Sequence, residues 1–323
     1  MKILVIGGGV AGSVVSYLLG KNFDVTLIQN KKWDKPCGGG VKSKIFDEFN
    51  FDKSLIKHNL NKVAVKYKNK TIFIDLKGDN LSIVRRDEFD EYLRNLATKY
   101  AKLYFGKFIT IKDKKAIIKI DNKKEIFEFD ILIGADGVNS SVRKAINLEP
   151  IPKILTYFAK IDKKTLYPEF YFDKKFGGDY YAWIFPHENL THIGSVDAKC
   201  FKYFCNYLNV DVKPKGYFIP SWQENITIQK ENIYFVGDAA AQVMPLTFEG
   251  IYYAIKSAQI LANSIINNLD YKTEWDKIYL KKFKFMKIME NINKTFLKRV
   301  LINSLQINKF QNFAINLWLG GKR

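Results

Sequence analysis

The chain has few cysteines, few arginines and no long apolar run. Only three of its 323 residues are cysteine. So small and odd a number argues against a disulfide framework and for a reducing compartment. No apolar run reaches the roughly 18 residues that a membrane-spanning helix needs, and no signal peptide is recognised at the start. These absences predict a cytoplasmic protein.

The charge is strongly one-sided, because acidic residues are the minority. A formal net charge of +19 favours an anionic partner such as nucleic acid, a membrane surface or a phosphorylated substrate. Only six of the 52 basic residues are arginine, and the lysines are spread without an arginine stripe or interleaved aromatic residues. Nucleic acid is therefore not predicted as a partner. The 47% hydrophobic and 26% charged residues are ordinary for a soluble globular protein.

Two kinds of strand pattern alternate along the chain. A β-branched strand at Lys2 to Ile6, a helix at Val10 to Leu19 and a strand at Phe23 to Ile28 predict a βαβ unit. Residues 154 to 196 instead show short aromatic strands punctuated by turns, which is typical of an antiparallel sheet. We therefore predict an α/β protein with two interleaved domains, each discontinuous in sequence.

A glycine-rich turn follows the first strand. Its sequence, GGGVAG at residues 7–12, has the G-x-G-x-x-G spacing of a dinucleotide-binding turn. Gly7 permits the tight turn, Gly9 lets the backbone approach a pyrophosphate, and Gly12 lets the helix pack closely on the strand. The acid that usually binds a ribose at the end of the second strand is Gln29 here, which predicts looser ribose binding.

Two more turns place an aspartate between a strand and a helix. They are GADGVNSSVR at residues 134–143 and VGDAA at residues 236–240. Such turns bring a carboxylate to a sugar-like hydroxyl while backbone amides face phosphate or ring oxygens. An N-cap aspartate explains either turn alone, but it does not explain both turns beside the first motif.

Together with RDEFD at residues 86–90, these turns resemble the FAD-binding family that has the para-hydroxybenzoate hydroxylase fold. Within it, KPCGGG at 35–40 and YAWIFP at 181–186 resemble the geranylgeranyl reductases, including the archaeal digeranylgeranylglycerophospholipid reductases. The resemblance covers Met1 to about Leu269. It implies a Rossmann-like FAD-binding domain (1–50, 78–150 and 226–270), an interleaved antiparallel β-sheet substrate domain (51–77 and 151–225) and a helical C-terminus (271–323).

The resemblance also implies roles for individual residues. The residues implied to bind FAD are Gly7, Gly9, Gly12, Gln29, Arg86, Asp136, Gly137, Gly237, Asp238, Gly250 and Ile251. The implied catalytic residues are Cys37, Tyr181 and Trp183, with Cys37 close to the isoalloxazine. The implied substrate-binding residues are Tyr181, Trp183, Phe185 and Phe248.

The implied activity is FAD-dependent saturation of isolated C=C bonds in geranylgeranyl chains. The substrate would be an archaeal-type membrane lipid or a polyprenyl phosphate precursor, with NAD(P)H, a ferredoxin or a deazaflavin as external electron donor. Hydride transfer must be matched by a proton, for which Cys37 and a bound water are equal candidates.

Three departures from the family pattern keep other functions open. Gln29 replaces the usual acid, Ala241 stands where a glycine commonly closes the third turn, and Phe248 stands where relatives usually carry glycine. One alternative is a flavin-dependent monooxygenase or halogenase of the same fold. The other is a non-catalytic protein that binds a flavin or a prenyl lipid.

The histidines and the remaining cysteines receive plain structural interpretations. His58, His187 and His192 lack metal-ligand spacing, so we predict ordinary surface or core histidines and no metal site. Cys200 and Cys205 lie in an aromatic helical stretch and are predicted to be buried thiols. Cys37 differs because Gly38 to Gly40 let the backbone come close to a ligand.

The C-terminal segment carries an apolar stripe at helical spacing. Its members are Trp275, Tyr279, Phe283, Met286, Met289, Ile292, Phe296 and Val300, and the lysines between them are Lys277, Lys281, Lys284, Lys287, Lys294 and Lys298. Such a helix packs on the protein core or lies in a membrane interface with its lysines toward anionic headgroups. A prenyl-lipid substrate favours the second, so we predict peripheral, salt-sensitive membrane binding that weakens when Lys281, Lys284 and Lys287 become glutamate.

Overall fold

The computed structural model describes residues 1–31, 35–78 and 80–319. The chain forms two compact units, each assembled from three separate stretches of sequence. The first unit contains Met1–Asp34, Asp87–Lys153 and Ile219–Lys284. The second contains Lys35–Arg86, Ile154–Phe218 and Phe285–Arg323.

The elements follow one another along the chain. The strands are β1 (Lys2–Ile6), β2 (Asp24–Gln29), β3 (Gly40–Lys42), β4 (Ile56–Leu60), β5 (Lys62–Tyr67), β6 (Lys70–Asp75), β7 (Leu81–Val84), β8 (Ala101–Phe105), β9 (Lys107–Lys112), β10 (Lys115–Ile120), β11 (Lys123–Glu128), β12 (Ile131–Gly134), β13 (Lys153–Ile161), β14 (Glu169–Tyr171), β15 (Ala182–Pro186), β16 (Thr191–Val196), β17 (Lys215–Pro220), β18 (Gln229–Lys230) and β19 (Ile233–Phe235). The helices are α1 (Val10–Leu19), α2 (Lys44–Glu48), α3 (Arg86–Ala97), α4 (Ser141–Ala145), α5 (Lys174–Gly177), α6 (Ala198–Leu208), α7 (Ile251–Ile266), α8 (Tyr271–Asn293), α9 (Lys298–Ser304) and α10 (Asn308–Leu319).

The first unit is built on a six-stranded sheet in the order β18-β19-β12-β1-β2-β8. Its strands are parallel except for the edge strand β18. Strands β1 and β12 are continuous apolar runs because a central parallel strand is covered on both faces. The predicted βαβ opening is confirmed, with β1 and α1 at the predicted residues and β2 one residue later.

The second unit is built on a seven-stranded sheet in the order β17-β13-β16-β15-β14-β5-β6, with a separate sheet β3-β7-β4. Neighbours in the large sheet are mostly antiparallel, and β14 with β5 is a parallel pair. Alternate residues of β15 therefore face opposite sides. Ile184 packs with α6 on one side, and Phe185 packs with the C-terminal helices on the other.

This architecture confirms the predicted fold class, with a Rossmann-like domain, an antiparallel sheet domain and a helical C-terminus. The division of the chain differs from the predicted boundaries at several places, since residues 78–86 and 285–323 lie in the second unit and residues 219–225 lie in the first. Residues 35–50 belong to the second unit, because β3 pairs with β7. Residues 271–284 belong to the first unit rather than to a separate tail.

The apolar stripe of the C-terminal segment does not form one continuous helical face. Trp275, Tyr279 and Phe283 are buried, and the Phe283 ring lies 5.0 Å from that of Tyr253 on α7. The core interpretation is therefore correct for this half of the stripe. Helix α8 ends at Asn293, where the hydroxyl of Thr295 donates to the Ile292 carbonyl and so competes with helical bonding.

Beyond this break the stripe is exposed rather than packed. Phe296 is 89% exposed and Val300 is 65% exposed. Two of the predicted membrane-facing lysines instead form ion pairs: Lys284 Nζ lies 2.6 Å from a Glu224 carboxylate oxygen, and Lys287 Nζ lies 2.9 Å from one of Glu290. Among the described residues, no helix combines the length and apolarity needed to cross a bilayer.

Candidate active site

The first glycine-rich turn has the backbone that its spacing predicts. Gly7 has a φ of +106°, and a Cβ there would lie 2.4 Å from the Ala135 carbonyl oxygen. A Cβ on Gly12 would lie 1.7 Å from the Gly7 carbonyl oxygen. A Cβ on Gly9, in contrast, would meet no described heavy atom within 4 Å. Gly7 and Gly12 are thus required by packing, whereas the space beside Gly9 is open.

Two buried side chains hold this turn from the other side. Gln29 accepts the Gly8 N–H at 2.6 Å through Oε1 and donates to the Lys31 carbonyl at 2.5 Å through Nε2. Arg94 of α3 donates from Nη1 to the Gly8 carbonyl oxygen at 3.1 Å. Both polar atoms of the Gln29 amide therefore bind backbone groups of Gly8 and Lys31. Its contact with a ribose stays a prediction. Arg94 was not singled out from the sequence.

The second turn places Asp136 at the start of α4. Its Oδ2 accepts the N–H groups of Ser141 at 2.6 Å and Val142 at 3.1 Å, so Asp136 binds the first turn of this helix beside the N-cap residue Ser140. Its Oδ1 is buried and has no hydrogen-bond partner among the described residues. Burial raises the pKa of the carboxyl, and the hydrogen bonds that it accepts oppose that shift. Beside it, Gly137 has a φ of +84° and open space where a Cβ would stand.

The third turn is a short 3-10 segment at Gly237–Ala240 that precedes α7. Gly237 has a φ of +62°, and a Cβ there would lie 2.9 Å from the Ala11 Cβ. A Cβ on Gly250 would lie 3.8 Å from Oδ1 of Asp238, so the turn and the start of α7 lie close together. Ile251 is the first residue of α7 and is buried.

Arg143 links the second and third turns. Its Nη1 donates to the carbonyl oxygens of Thr227 at 2.7 Å and Ala239 at 3.3 Å, and its cation lies 5.0 Å from the centre of the Phe235 ring. Burial lowers the pKa of this guanidinium, and the Asp136 carboxylate opposes the shift. Arg94 and Arg143 both bind the backbone of a predicted cofactor turn. Their signal in the sequence was that arginine is scarce in a lysine-rich chain.

Two departures from the family pattern coincide with left-handed backbone. Ala241 has a φ of +51° and Phe248 has a φ of +52°, and these are the positions where the resembled family usually carries glycine. Left-handed backbone costs an L-residue about 1–2 kcal/mol relative to its ordinary conformation. The chain has therefore kept the backbone that glycine favours at both places. Phe248 is partly buried.

The three turns of the first unit fit a dinucleotide. The open spaces at Gly9 and Gly137 give room for phosphate or ribose against bare backbone. Helix α1 begins at Val10 with no side-chain cap and no acid in its first turn, so its N–H groups can bind an anion. Buried acceptors normally receive a hydrogen bond, so the unpaired Oδ1 of Asp136 is suited to accept one from a hydroxyl group of the dinucleotide.

In the second unit, the glycines that flank Cys37 are explained by Phe185. A Cβ on Gly38 would lie 2.7 Å from the Phe185 ring, and a Cβ on Gly40 would lie 2.8 Å from it. Gly39 has a φ of +74° and donates its N–H to Cys37 Sγ at 3.3 Å. The absence of side chains in the glycine run therefore leaves room for an aromatic ring against the loop. The sequence analysis had assigned that room to a ligand.

The other aromatic residues of the YAWIFP segment are tightly packed. Trp183 is 9% exposed and covers Gly194, whose Cβ would lie 2.1 Å from the indole ring. Tyr181 is 6% exposed, and its ring centre lies 5.5 Å from that of Phe170. Phe185 is only partly buried and also contacts Phe170, at 5.6 Å. These residues form an aromatic layer on one face of the large sheet.

The histidine pair at the end of this hairpin was not recognised from the sequence as part of a site. Nε2 of His187 lies 3.1 Å from the Gly38 carbonyl oxygen, and Nδ1 of His192 lies 3.0 Å from that of Cys37. The centres of the two rings lie 3.5 Å apart, and their planes are tilted by 30°. Their sequence spacing carries no motif, so only the folded hairpin reveals the pair.

The remaining predicted residues lie as follows. Arg86 is buried and begins α3. Cys200 and Cys205 are buried, as predicted, and burial raises the pKa of each thiol to about 11. Cys37 is a free thiol of intermediate exposure.

Comparisons with known proteins find reductases along most of the chain. The chain is 30% identical to an uncharacterized protein of Methanosarcina barkeri over 83% of its own length and 75% of that protein. It is 27% identical to the chloroplastic geranylgeranyl diphosphate reductase of Nicotiana tabacum, over 90% of this chain and 74% of that one. It is 24% identical to the digeranylgeranylglycerophospholipid reductase of Methanocaldococcus jannaschii, over 87% and 80% of the two chains.

Solved structures show the same fold. A geranylgeranyl bacteriochlorophyll reductase-like protein of Thermoplasma acidophilum superposes with a TM-score of 0.82 at 20% identity, covering 98% of this chain and 95% of that one. A flavin-dependent brominase superposes with a TM-score of 0.80 at 15% identity, covering 99% and 94%. No family model matches the chain.

Proposed function

This chain belongs to the geranylgeranyl reductase family of flavoproteins, and we propose that it is an FAD-dependent oxidoreductase that saturates isolated C=C bonds of geranylgeranyl chains. The observation that carries the proposal is its similarity to named geranylgeranyl reductases over 90% of its length. The finer substrate that we propose is an archaeal-type membrane lipid or its phosphate precursor. Similarity to a digeranylgeranylglycerophospholipid reductase supports that choice.

The first unit would hold the FAD. The N–H groups at the start of α1 would bind the pyrophosphate above the open space at Gly9. The unpaired oxygen of Asp136 would accept a hydrogen bond from a hydroxyl group of the FAD, and Asp238 would contact the ribityl chain. Gln29 and Arg94 would act indirectly, because they fix the Gly8 peptide within the turn.

The reaction adds one hydride and one proton across an alkene. Reduced flavin supplies the hydride when it is bound. An isolated alkene has no carbonyl that the protein could polarise, so positioning and the supply of a proton are the protein's main contributions. The proton donor that we propose is the Cys37 thiol, which regains its proton from solvent, with a bound water as the rival.

The second unit would bind the prenyl chain. The aromatic layer of Tyr181, Trp183 and Phe185 supports an apolar site, and Phe185 is the member that keeps partial exposure. Each methylene that leaves water contributes about 0.8 kcal/mol, so a geranylgeranyl chain needs few polar contacts. Phe248 is a further proposed substrate contact.

An external donor must reduce the flavin for each turnover. NAD(P)H, a ferredoxin and a deazaflavin are the candidates that we propose. Anaerobic incubation of the flavoprotein with each donor, followed by flavin bleaching at its absorption maximum, identifies the donor.

The activity is tested by photoreducing the flavoprotein anaerobically with a geranylgeranyl lipid and measuring the mass of the lipid. We expect two added hydrogens per reduced double bond. The variant Cys37→Ser should turn over more slowly at unchanged flavin content, with Cys200→Ser as the matched control. Equal turnover in Cys37→Ser and parent would assign the proton to water.

A flavin-dependent monooxygenase or halogenase is the second candidate, favoured by the fold that the chain shares with a brominase. The same mass measurement, repeated in air with halide present, separates the candidates. Added oxygen or halogen would replace the reductase proposal. A lipid of unchanged mass under both conditions would favour a non-catalytic flavin or prenyl-lipid binding protein.

A further inference from the structure

The Cys37 loop, defined as residues 37–40, is held at consecutive peptides. The carbonyl oxygens of Cys37 and Gly38 lie 3.0 Å from His192 Nδ1 and 3.1 Å from His187 Nε2. The next carbonyl, that of Gly39, accepts the Val84 N–H at 3.0 Å. A loop with three glycines is flexible by composition, yet its hydrogen bonds specify one conformation here.

The hydrogen bonds also determine which nitrogen of each imidazole carries a proton. A carbonyl oxygen only accepts, so His192 must donate from Nδ1 and His187 must donate from Nε2. The two rings, with centres 3.5 Å apart, support each other in these orientations. The aromatic ring of Phe158 packs edge-on against His192 at 5.0 Å, which further fixes the pair.

The pair is neutral at physiological pH. Burial lowers the pKa of His187 to about 4 and that of His192 to about 3. The neighbouring charges contribute to these shifts: His187 lowers the pKa of His192, His58 lowers that of His187, and Lys160 and Arg85 lower both, while the hydrogen bond of each ring to a backbone carbonyl opposes the shift. A neutral imidazole that already donates its single N–H to a backbone carbonyl is poorly placed to serve as an acid.

We propose that His187 and His192 are positioning residues that fix the Cys37 loop and thereby set the place of the Cys37 thiol. The proposal rests on the proposed function, in which Cys37 supplies the proton. It gives the histidine pair a role in the reaction without contact with the substrate. The thiol is held by the same loop, because the N–H of Gly39 donates to Cys37 Sγ at 3.3 Å.

Asparagine and glutamine distinguish this role from simple packing. The amide N–H of asparagine can stand where Nδ1 of a histidine stands, and that of glutamine can stand where Nε2 stands. His192→Asn and His187→Gln should therefore keep the loop hydrogen bonds, whereas His192→Gln and His187→Asn should lose them. A requirement for bulk alone would rank the two replacements in the same order at both positions.

The first measurement is hydrogen exchange of the amides in residues 35–40 of the flavin-loaded protein, with the amides of β1 as internal reference. We expect about fivefold faster exchange in each mismatched variant, which is the effect of one lost hydrogen bond. Exchange in the matched variants should stay within about twofold of the parent. Exchange at the parent rate in the mismatched variants, or the same ranking of asparagine and glutamine at both positions, would contradict the proposal that the histidines hold the loop.

The second measurement is steady-state reduction of the geranylgeranyl lipid. A displaced proton donor should lower kcat about fivefold in the mismatched variants while KM and flavin content stay at parent values. Accelerated exchange with an unchanged kcat would overturn the positioning role. A parent protein that binds flavin but does not reduce the lipid refutes the proposed function instead. The exchange data then still show whether the two histidines hold the Cys37 loop.

Discussion

Replacing Gly9 with valine should separate folding from cofactor binding. The backbone at Gly9, with φ −77° and ψ −168°, is open to any residue. A Cβ there meets no described heavy atom within 4 Å, so the folded protein gains no clash. The reduced freedom of the unfolded chain should stabilise the apoprotein by about 0.4–1 kcal/mol. Valine is a poorer N-cap than glycine for α1 and costs about as much, so Tm should stay within about 2 °C of the parent value.

The same side chain should remove FAD. The space that it fills is the space through which a pyrophosphate would reach the N–H groups of α1. Losing two hydrogen bonds to a charged group costs about 3–6 kcal/mol, which corresponds to roughly 10²- to 10⁴-fold weaker binding. Titration of apoprotein with FAD, followed by flavin fluorescence, measures the change.

Two controls make the result interpretable. Gly216→Val removes the same glycine freedom and places a side chain in ordinary contact, 3.5 Å from Leu155, so it should leave the FAD affinity at the parent value. Gly12→Ala forces a Cβ to 1.7 Å from the Gly7 carbonyl oxygen and should prevent folding. If Gly9→Val retains the FAD affinity of the parent, the first turn does not bind the pyrophosphate and the reasoning fails.

Three further predictions follow from buried or exposed groups. Because the pKa of His187 falls from 6.5 to about 4 on folding, the unfolded chain binds this proton at a higher pH than the folded protein does. His187 should therefore account for about 3 kcal/mol of the stability lost between pH 6.5 and 4, in addition to the share of His192; a urea titration series in which His187→Gln loses as much stability as the parent would refute this origin. Arg94→Lys should weaken FAD binding about tenfold by loosening the Gly8 carbonyl contact, whereas the exposed Arg299→Lys should not; equal affinities would remove Arg94 from the support of the turn. Phe296→Asp combined with Val300→Asp should abolish salt-sensitive co-sedimentation with anionic vesicles; unchanged binding would place the membrane contact elsewhere, and no binding by the parent would end that prediction.

The sequence by itself predicted the features that depend on adjacent residues. The spacing of Gly7, Gly9 and Gly12 identified a turn whose geometry is largely local, because the positive φ of Gly7 and the close approach of Gly12 to the Gly7 carbonyl act within a few residues. The β-branched run at Lys2 to Ile6 likewise predicted the first strand of a βαβ unit. The three aspartate and glycine turns could therefore be placed after their strands from pattern alone.

Only the tertiary structure decided what distant segments do to one another. Gly38 and Gly40 were interpreted as room for a ligand, and the ring of Phe185 fills that room. The stripe from Trp275 to Val300 was predicted as one helix face, yet α8 ends at Asn293, and the first half of the stripe is core while its end is exposed. Spacing defines a helix face, but only packing determines what covers it. In the same way, Arg94, His187 and His192 became recognisable only where folding brought their nitrogens to backbone carbonyls, since a hydrogen bond between remote residues leaves no period in a sequence.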